Sequence, residues 1–300
     1  MTSSGARAPS VLASASGAGA LETARADRVV PAARADSGGA VRPSAERRSA
    51  FILMLTLILP AYDEARRLPA SLARCAEYFQ SRGLAAEIIV ADDGSRDDTA
   101  AAIARTVAFL PLGSPAVRHL ALPHRGKGGA VRAGVRAAVG DPIVFLDADL
   151  TIPIELLEPF LAALSAGANI AVASRYMPGS IVHRPWWRRI IGNVYRLAVR
   201  VIVPSGVTDT QCGGKAYTAA AARDLFGRQR LDGFAFDAEV LFLARRAGHR
   251  ITEVPFSLRQ QRGTSINFLA DAPWMFRDLL LIRWNEFRGR YAAARQGDAG

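Results

Sequence analysis

From residue 54 to residue 147 the chain alternates between two hydrophobic periods. Short apolar runs at Leu55–Leu59, Glu87–Ala91, Val117–Leu122 and 143–147 have the length and the β-branched content of buried strands. Between them, Ala70–Arg82, Asp97–Phe109 and the Ala-rich Gly128–Val139 repeat their apolar positions at helical spacing. Gly83 closes the first of these helices, and Ser95 stands as the N-cap of the second. Strands alternating with helices predict an α/β fold: an open, mostly parallel sheet covered by helices on both faces. Ligands of such sheets bind beyond the carboxyl ends of the strands. Three of those ends are polar here, reading PAYDE (60–64), ADDGS (91–95) and DADLT (147–151). No repeat of solenoid length interrupts the pattern.

The flanks behave differently. Residues 1–50 are Ala, Ser, Gly and Arg with little apolar periodicity, which predicts a disordered tail, and they lack the charged and apolar regions of a signal peptide. The apolar run Ala50–Leu59 stops at Pro60, well short of the roughly 20 residues of a membrane span. The pattern predicts an α/β domain over 51–260 with an amphipathic helix at about 185–203. A loop and second amphipathic helix follow over 261–290, then a tail over 291–300. In Pro185–Val203, Trp187, Ile190, Ile191, Val194, Leu197, Ala198 and Val201 recur at helical spacing, while Arg189, Arg196 and Arg200 share another face. Such a stripe serves a core-packed helix. The Trp186–Trp187 pair and the near-absence of acids also suit a helix lying on an anionic lipid surface. Pro273–Arg290 mixes Trp274, Phe276, Trp284 and Phe287 with Arg277, Arg283, Arg288 and Arg290 in a similar way.

Composition sharpens this picture. The 300-residue chain carries a formal net charge of +11, of which residues 1–50 supply only +3 (seven Arg against four acids). An excess carried by the folded part points to an anionic partner. The arginines are dispersed and no RNP, helix-turn-helix or zinc motif occurs, which argues against a nucleic-acid binder. Lys127 and Lys215 are the only lysines, and both lie in glycine-rich stretches, RGKGG and CGGK, an arrangement suited to phosphate. Cys75 and Cys212 form neither a disulfide framework nor a zinc site, consistent with a reducing, cytoplasm-facing location.

The segment IVFLDADLT (143–151) carries the most chemistry. Side chains at i and i+2 leave a strand on one face, so Asp147 and Asp149 can converge on a hard cation, Mg²⁺ or Mn²⁺. Such an ion holds a diphosphate and takes up the charge of its departure. Asp93, at a strand end before a glycine, can accept from a ribose hydroxyl or a base N–H; Asp92 or Asp93 can equally cap the next helix. RGKGGAVRAG (125–134) places Lys127 with Gly126, Gly128, Gly129 and Gly134 at a helix start. That is a phosphate site or a simple glycine-rich turn, and not the loop of P-loop NTPases. Asp237 and Glu239 also suit the positive end of a helix.

In this order, PAYDE, ADDGS, RGKGGAVRAG and FLDADLT resemble inverting family-2 glycosyltransferases of the Rossmann-like GT-A fold. SRYMPGS (174–180), DTQCGGK (209–215), FAFDAE (234–239) and RGTS (262–265) are similar to the dolichyl- or polyprenyl-phosphate hexose synthases. DTQCGGK is most like the glucosyltransferase branch. The resemblance covers about residues 54–285 and departs from the family pattern at Gly214, usually aromatic, and at Ile266, often basic. It implies a GT-A open mixed sheet and a nucleotide sugar, UDP-glucose first, as donor. Pro60, Tyr62, Glu64, Asp92 and Asp93 would frame base and ribose, and Lys127 would sit near the diphosphate or ribose. Asp147 would lie on the nucleotide side of the metal and Asp149 would ligate it. Arg175, with Arg188 or Arg189, would meet an acceptor phosphate, and Arg262 would close over the site. Asp209, Gln211 and Asp237 would line the sugar and acceptor pocket, Asp209 nearest the chemistry. The implied reaction is inverting transfer of a hexose to a polyprenyl or dolichyl phosphate at a membrane surface. GDP-mannose or UDP-N-acetylhexosamine stand as alternative donors and a soluble molecule as an alternative acceptor.

Overall fold

A computed structural model of the chain describes residues 54–182, 186–258 and 268–292. The expected tail over 1–50, residues 293–300 of the expected tail over 291–300, and Arg262 lie outside them.

Seven strands form one sheet in the order β3-β2-β1-β4-β7-β5-β8. These are β1 (Leu55–Ala61), β2 (Ala86–Asp92), β3 (Ala116–Ala121), β4 (Ile143–Leu146), β5 (Ile170–Ser174), β7 (Gly214–Tyr217) and β8 (Ile251–Pro255). β6 (Ile181–Val182) and β9 (Ser257–Leu258) make a separate parallel pair. β1 pairs in parallel with both β2 and β4, so their carboxyl ends open on one edge. β7 is antiparallel to β4 and to β5, which makes the sheet mixed. The chain winds outward through β2 and β3 on one side of β1 and through β4 on the other. The crevice between β1 and β4 is therefore the topological switch point, where such sheets bind ligands.

β1 is buried along its whole length because helices cover both faces. Leu55, Leu57 and Leu59 point to one core with Leu68, Leu72, Cys75 and Phe79 of α1 (Leu68–Arg82) and with Phe160 of α4 (Leu157–Ser165). Ile58 points the other way, to Val131 and Val135 of α3 (Lys127–Ala137) and to a core shared with α6 (Ala219–Arg228) and α7 (Phe236–Arg246). Each such side chain contributes about 1.5–3 kcal/mol on burial. α3 lies close enough to β1 that a Cβ on Gly134 would stand 2.6 Å from Ile58 Cγ2. At the opposite end of the sheet, buried Glu87 accepts from Thr56 Oγ1 (2.6 Å), the Val139 N–H (2.9 Å) and Arg118 Nη1 (3.1 Å), tying β1, β2, β3 and the α3–β4 link together.

Two local expectations fail. α2 runs Thr99–Ala108 with Asp98, not Ser95, at its start; Ser95 Oγ donates to Asp92 Oδ1 (2.6 Å) and accepts from the Asp63 N–H (2.9 Å). β4 ends at Leu146, so Asp147–Asp149 is a turn and not a strand continuation, closed by the Leu150 N–H donating to the Asp147 carbonyl (2.9 Å). Leu150 adopts φ +47°, a left-handed conformation disfavoured for a branched side chain.

Among its described side chains α5 (Trp186–Ile202) buries only Tyr195 and Val199, next to Val203 beyond its end, and it packs on α8 (Phe268–Phe287), with the Tyr195 and Phe276 rings edge-on at 5.8 Å. Its other side exposes Trp186, Trp187, Ile190, Val194, Leu197 and Val201 to solvent. α8 buries Met275, Leu279 and Ile282 and exposes Trp274, Leu280, Trp284 and Phe287. α5 is thus core-packed along a narrow stripe and apolar outside it as well. Among the described residues no helix is long and apolar enough to cross a membrane.

Candidate active site

At the carboxyl ends of β1 and β4 lies a cleft of about 580 Å³, walled on one side by α5. Asp147 and Asp149 both line it. Asp147 Oδ1 meets the ammonium of Lys127 at 2.5 Å, and Asp149 Oδ1 accepts from the Thr151 N–H (2.9 Å). Gly213, at the mouth of β7, presses its backbone against Asp147: a Cβ there would stand 1.9 Å from Oδ2. Burial would lower the pKa of Lys127, but Asp147, and Asp237 behind it, hold it above the ordinary lysine value. No cluster of three or more His, Cys, Asp or Glu able to hold a metal occurs among the described residues. Two carboxylates of a hard-oxygen type fit an Mg²⁺ or Mn²⁺ whose remaining ligands come from a diphosphate and water. They do not fit a closed protein site.

The β1 and β2 ends form the next wall. Tyr62, partly exposed, packs against His124 with ring centroids 4.4 Å apart and the planes tilted by 31°. Asp93 is buried and grips the loop entering α3: Oδ1 accepts from the Arg125 N–H and Oδ2 from the Gly126 N–H, both at 2.8 Å, and His124 Nδ1 lies 2.8 Å from Oδ2. This loop needs glycine at 126, where φ is +115° and a Cβ would stand 2.6 Å from the Asp232 carbonyl. The Gly129 N–H donates to that same carbonyl, so backbone donors expected to cradle a phosphate are engaged within the protein. Pro60, Glu64 and Asp93 line the cleft; Asp92 does not, its carboxylate being held by Ser95 and, at 3.1 Å, His119. Glu64 receives a forked bond from Arg67 (2.6 and 2.5 Å), and Arg67 also comes within 4.0 Å of Asp149. Burial pushes the Glu64 carboxyl up despite that guanidinium.

The far wall centres on Arg175, at the end of β5. Its backbone N–H (3.0 Å), Nε (2.6 Å) and Nη2 (2.6 Å) all donate to Asp209. Glu253 in turn accepts from the Thr208 and Asp209 N–H groups (3.0 and 3.2 Å), fixing the segment. Burial alone would raise the Asp209 carboxyl, but the Arg175 guanidinium holds it below the usual carboxylate range. A carboxylate so held orients Arg175 and is a poor proton acceptor. Gln211 lines the cleft, and its Nε2 is buried with no hydrogen-bond partner among the described residues. Cys212 also borders the cleft, but burial pushes its thiol up to about 12, so it stays protonated and unreactive at neutral pH.

Two expected residues lie behind the cleft. Lys215 is fully buried in β7 and donates to Asp237 Oδ1 and to the Cys212 carbonyl, both at 2.6 Å. It does not line the cleft, and Asp237, at the start of α7, is buried behind the Lys127–Asp147 pair rather than in the lining. Burial raises the Asp237 carboxyl in spite of the two lysines. Glu239 accepts from the Arg230 and Leu231 N–H groups and from Tyr291 Oη. Gly214 faces Ile152, Leu146 and Ala173, so its departure from the family pattern concerns the core under the site. Arg189 is exposed on α5 and does not line the cleft; the Arg188 side chain lies outside the described residues.

Arg196 joins the site although the sequence pattern placed it only on the arginine face of the helix. It projects from α5 into the cleft and stacks on Tyr176, 4.2 Å from the ring centroid. Lys127 and Arg175, the other cleft cations, each hold a carboxylate, whereas no ion pair of Arg196 occurs among the described residues. Its sequence signal was the arginine face of the helix, and Tyr176 follows Arg175 in SRY.

The chain is similar to known proteins over most of its length. The family model described as glycosyl transferase family 2 matches residues 56–226. Glycosyltransferase AglD of Haloferax volcanii is 31% identical over 250 residues, covering 81% of this chain, while this chain spans only 39% of that protein. Human dolichyl-phosphate beta-glucosyltransferase is 32% identical over 254 residues, covering 79% of this chain and 77% of its own. The Mycobacterium tuberculosis glucosyl-3-phosphoglycerate synthase solved with Mn²⁺, uridine diphosphate and phosphoglyceric acid superimposes with a TM-score of 0.59 at 22% identity, covering 86% of each chain, and shows the shared fold.

Proposed function

The chain belongs to glycosyl transferase family 2, and from that premise we propose that it transfers glucose from UDP-glucose to the phosphate of a polyprenyl or dolichyl lipid at a cytoplasm-facing membrane surface. The observation that carries this reading is the double use of α5. Its outer face exposes Trp186, Ile190, Val194, Leu197 and Val201, and its inner face sends Arg196 into the cleft that holds Asp147 and Asp149. An exposed apolar helix face beside arginines suits an anionic lipid interface. The name of the human relative supports the acceptor and the sugar.

The chemistry follows from the charges. A phosphate oxygen of the lipid attacks the anomeric carbon as the bond from that carbon to the nucleoside diphosphate breaks, and one in-line displacement inverts the centre to a β linkage. With a second pKa near 6 the lipid phosphate is already ionised at pH 7, so no base is required. That agrees with an Asp209 locked to Arg175. Arg175 and Arg196 draw the acceptor anion in, and Lys127 meets the donor diphosphate. Tyr62 and His124 offer a ring surface to the base, with Pro60, Glu64 and Asp93 around it. Asp147 and Asp149 would hold a divalent cation, which would supply Lewis-acid neutralisation of the departing diphosphate.

The test is a panel of labelled nucleotide sugars with polyprenyl phosphate in anionic vesicles, with Mg²⁺, Mn²⁺ or chelator. Glucose from UDP-glucose should enter the lipid fraction and chelator should stop it. Transfer of mannose from GDP-mannose alone would replace the sugar assignment. Transfer to a water-soluble acceptor with none to lipid would end the acceptor assignment.

A further inference from the structure

Lys127 and Asp147 are engaged with each other at the point where the donor diphosphate and its cation must both be received. Asp147 has little freedom to avoid the ammonium, since Gly213 blocks its Oδ2 side. A divalent cation approaching Asp147 and Asp149 therefore meets a positive charge 2.5 Å from one of its two ligands. Arg67 adds a second, 4.0 Å from the other. An incoming diphosphate reverses the situation, because it is the stronger anion and draws the ammonium to itself.

We propose that Lys127 is a positioning residue that couples the two ligands: it holds the Asp147 carboxylate as a stand-in cation, and it releases that carboxylate to a metal only when a nucleoside diphosphate takes its charge. Metal and nucleotide then bind as a cooperative pair, and the bare protein has low affinity for the ion. This refines the metal-assisted reading of the site and rests on it. Coupling of this kind is reciprocal, so it is measurable from either ligand.

The experiment is Mn²⁺ binding to the full-length protein, followed by the paramagnetic resonance of free Mn²⁺, without and with UDP, after subtraction of Mn²⁺ held by UDP in solution. The wild-type protein should bind Mn²⁺ at least about tenfold more tightly when UDP is present, a coupling within the usual range for linked sites. In Lys127→Met, Mn²⁺ alone should bind at least about tenfold more tightly than in wild type, and the UDP enhancement should fall below about threefold. Lys127→Arg, which keeps the charge, should retain the enhancement and serves as the second variant if Lys127→Met does not fold. An undiminished UDP enhancement in Lys127→Met, or its loss in Lys127→Arg with nucleotide binding intact, would overturn the coupling role. Absence of any Asp149-dependent Mn²⁺ binding in wild type with UDP would overturn the metal reading itself.

Discussion

A methyl group on Gly213 would stand 1.9 Å from Asp147 Oδ2 and 2.4 Å from its Cγ, so Gly213→Ala must displace the carboxylate. Misplacing a catalytic group by about 1 Å costs on the order of 10²-fold in rate. The expected result is a fall of that size in kcat/KM with an unfolding midpoint close to wild type. Asp149→Ala should abolish transfer without unfolding the chain, since Asp149 is partly exposed and, among the described residues, its carboxylate accepts only from the Thr151 N–H of its own turn. Lys215 behaves in the opposite way. Lys215→Met would leave Asp237 buried without its closest cation, a loss of about 3–5 kcal/mol, whereas Lys215→Met with Asp237→Leu should recover most of it. Urea unfolding of the two variants checks this. The contrast between the two lysines was not legible in RGKGG and CGGK. Strand residues alternate between faces, and only the register of β7 on β4, with Lys215 opposite Phe145, shows that Lys215 points into the core. The DxD pair was legible as a carboxylate pair at a strand end. Its turn geometry was not, because it depends on Gly213 and Leu150.

The elements were legible where period and length agreed. β1, β2, β4 and the first three helices fall within a few residues of the sequence pattern, because their apolar positions satisfy two cores at once. Ser95 misled because a serine before a helix also suits the turn that Asp63 and Asp92 close. α5 was legible as amphipathic, but its period could not tell which apolar residues are covered: Tyr195 and Val199 are buried while Leu197 and Val201 are 62% and 72% exposed. Leu197→Glu combined with Val201→Glu should therefore leave stability within about 0.5 kcal/mol of wild type. The same variant should lose binding to anionic vesicles in a co-sedimentation assay. Unchanged sedimentation would remove α5 from the membrane contact.

Across the whole molecule, the open sheet and its polar edge follow from strand–helix alternation, but the antiparallel β7 between β4 and β5 does not, since adjacency of distant strands leaves no local signal. That insertion brings Asp209, Gln211 and Gly213 beside the DxD turn, and it underlies the far wall of the cleft. Buried carboxyls also give the molecule a definite response to acid. Asp237 and Glu239 have raised folded pKa values, chiefly through burial, so the folded state gains on protonating them as the pH falls towards the ordinary carboxylate value. Asp209 and Glu87 are depressed: burial works against them, but Arg175 on one and the Thr56, Val139 and Arg118 bonds on the other prevail. Their stabilisation is complete above the unfolded value and is lost as the pH falls through the folded one. Urea midpoints should rise slightly from pH 7 into mild acid and then fall below about pH 4. Asp209→Asn should flatten that fall.

The placement of Arg196 and the outward apolar side chains on one helix has a kinetic consequence. A polyisoprenoid substrate would be engaged without leaving its bilayer, so encounters would be confined to a plane. Turnover should then track the mole fraction of lipid phosphate among its neighbours, declining when inert phospholipid is added at constant total substrate.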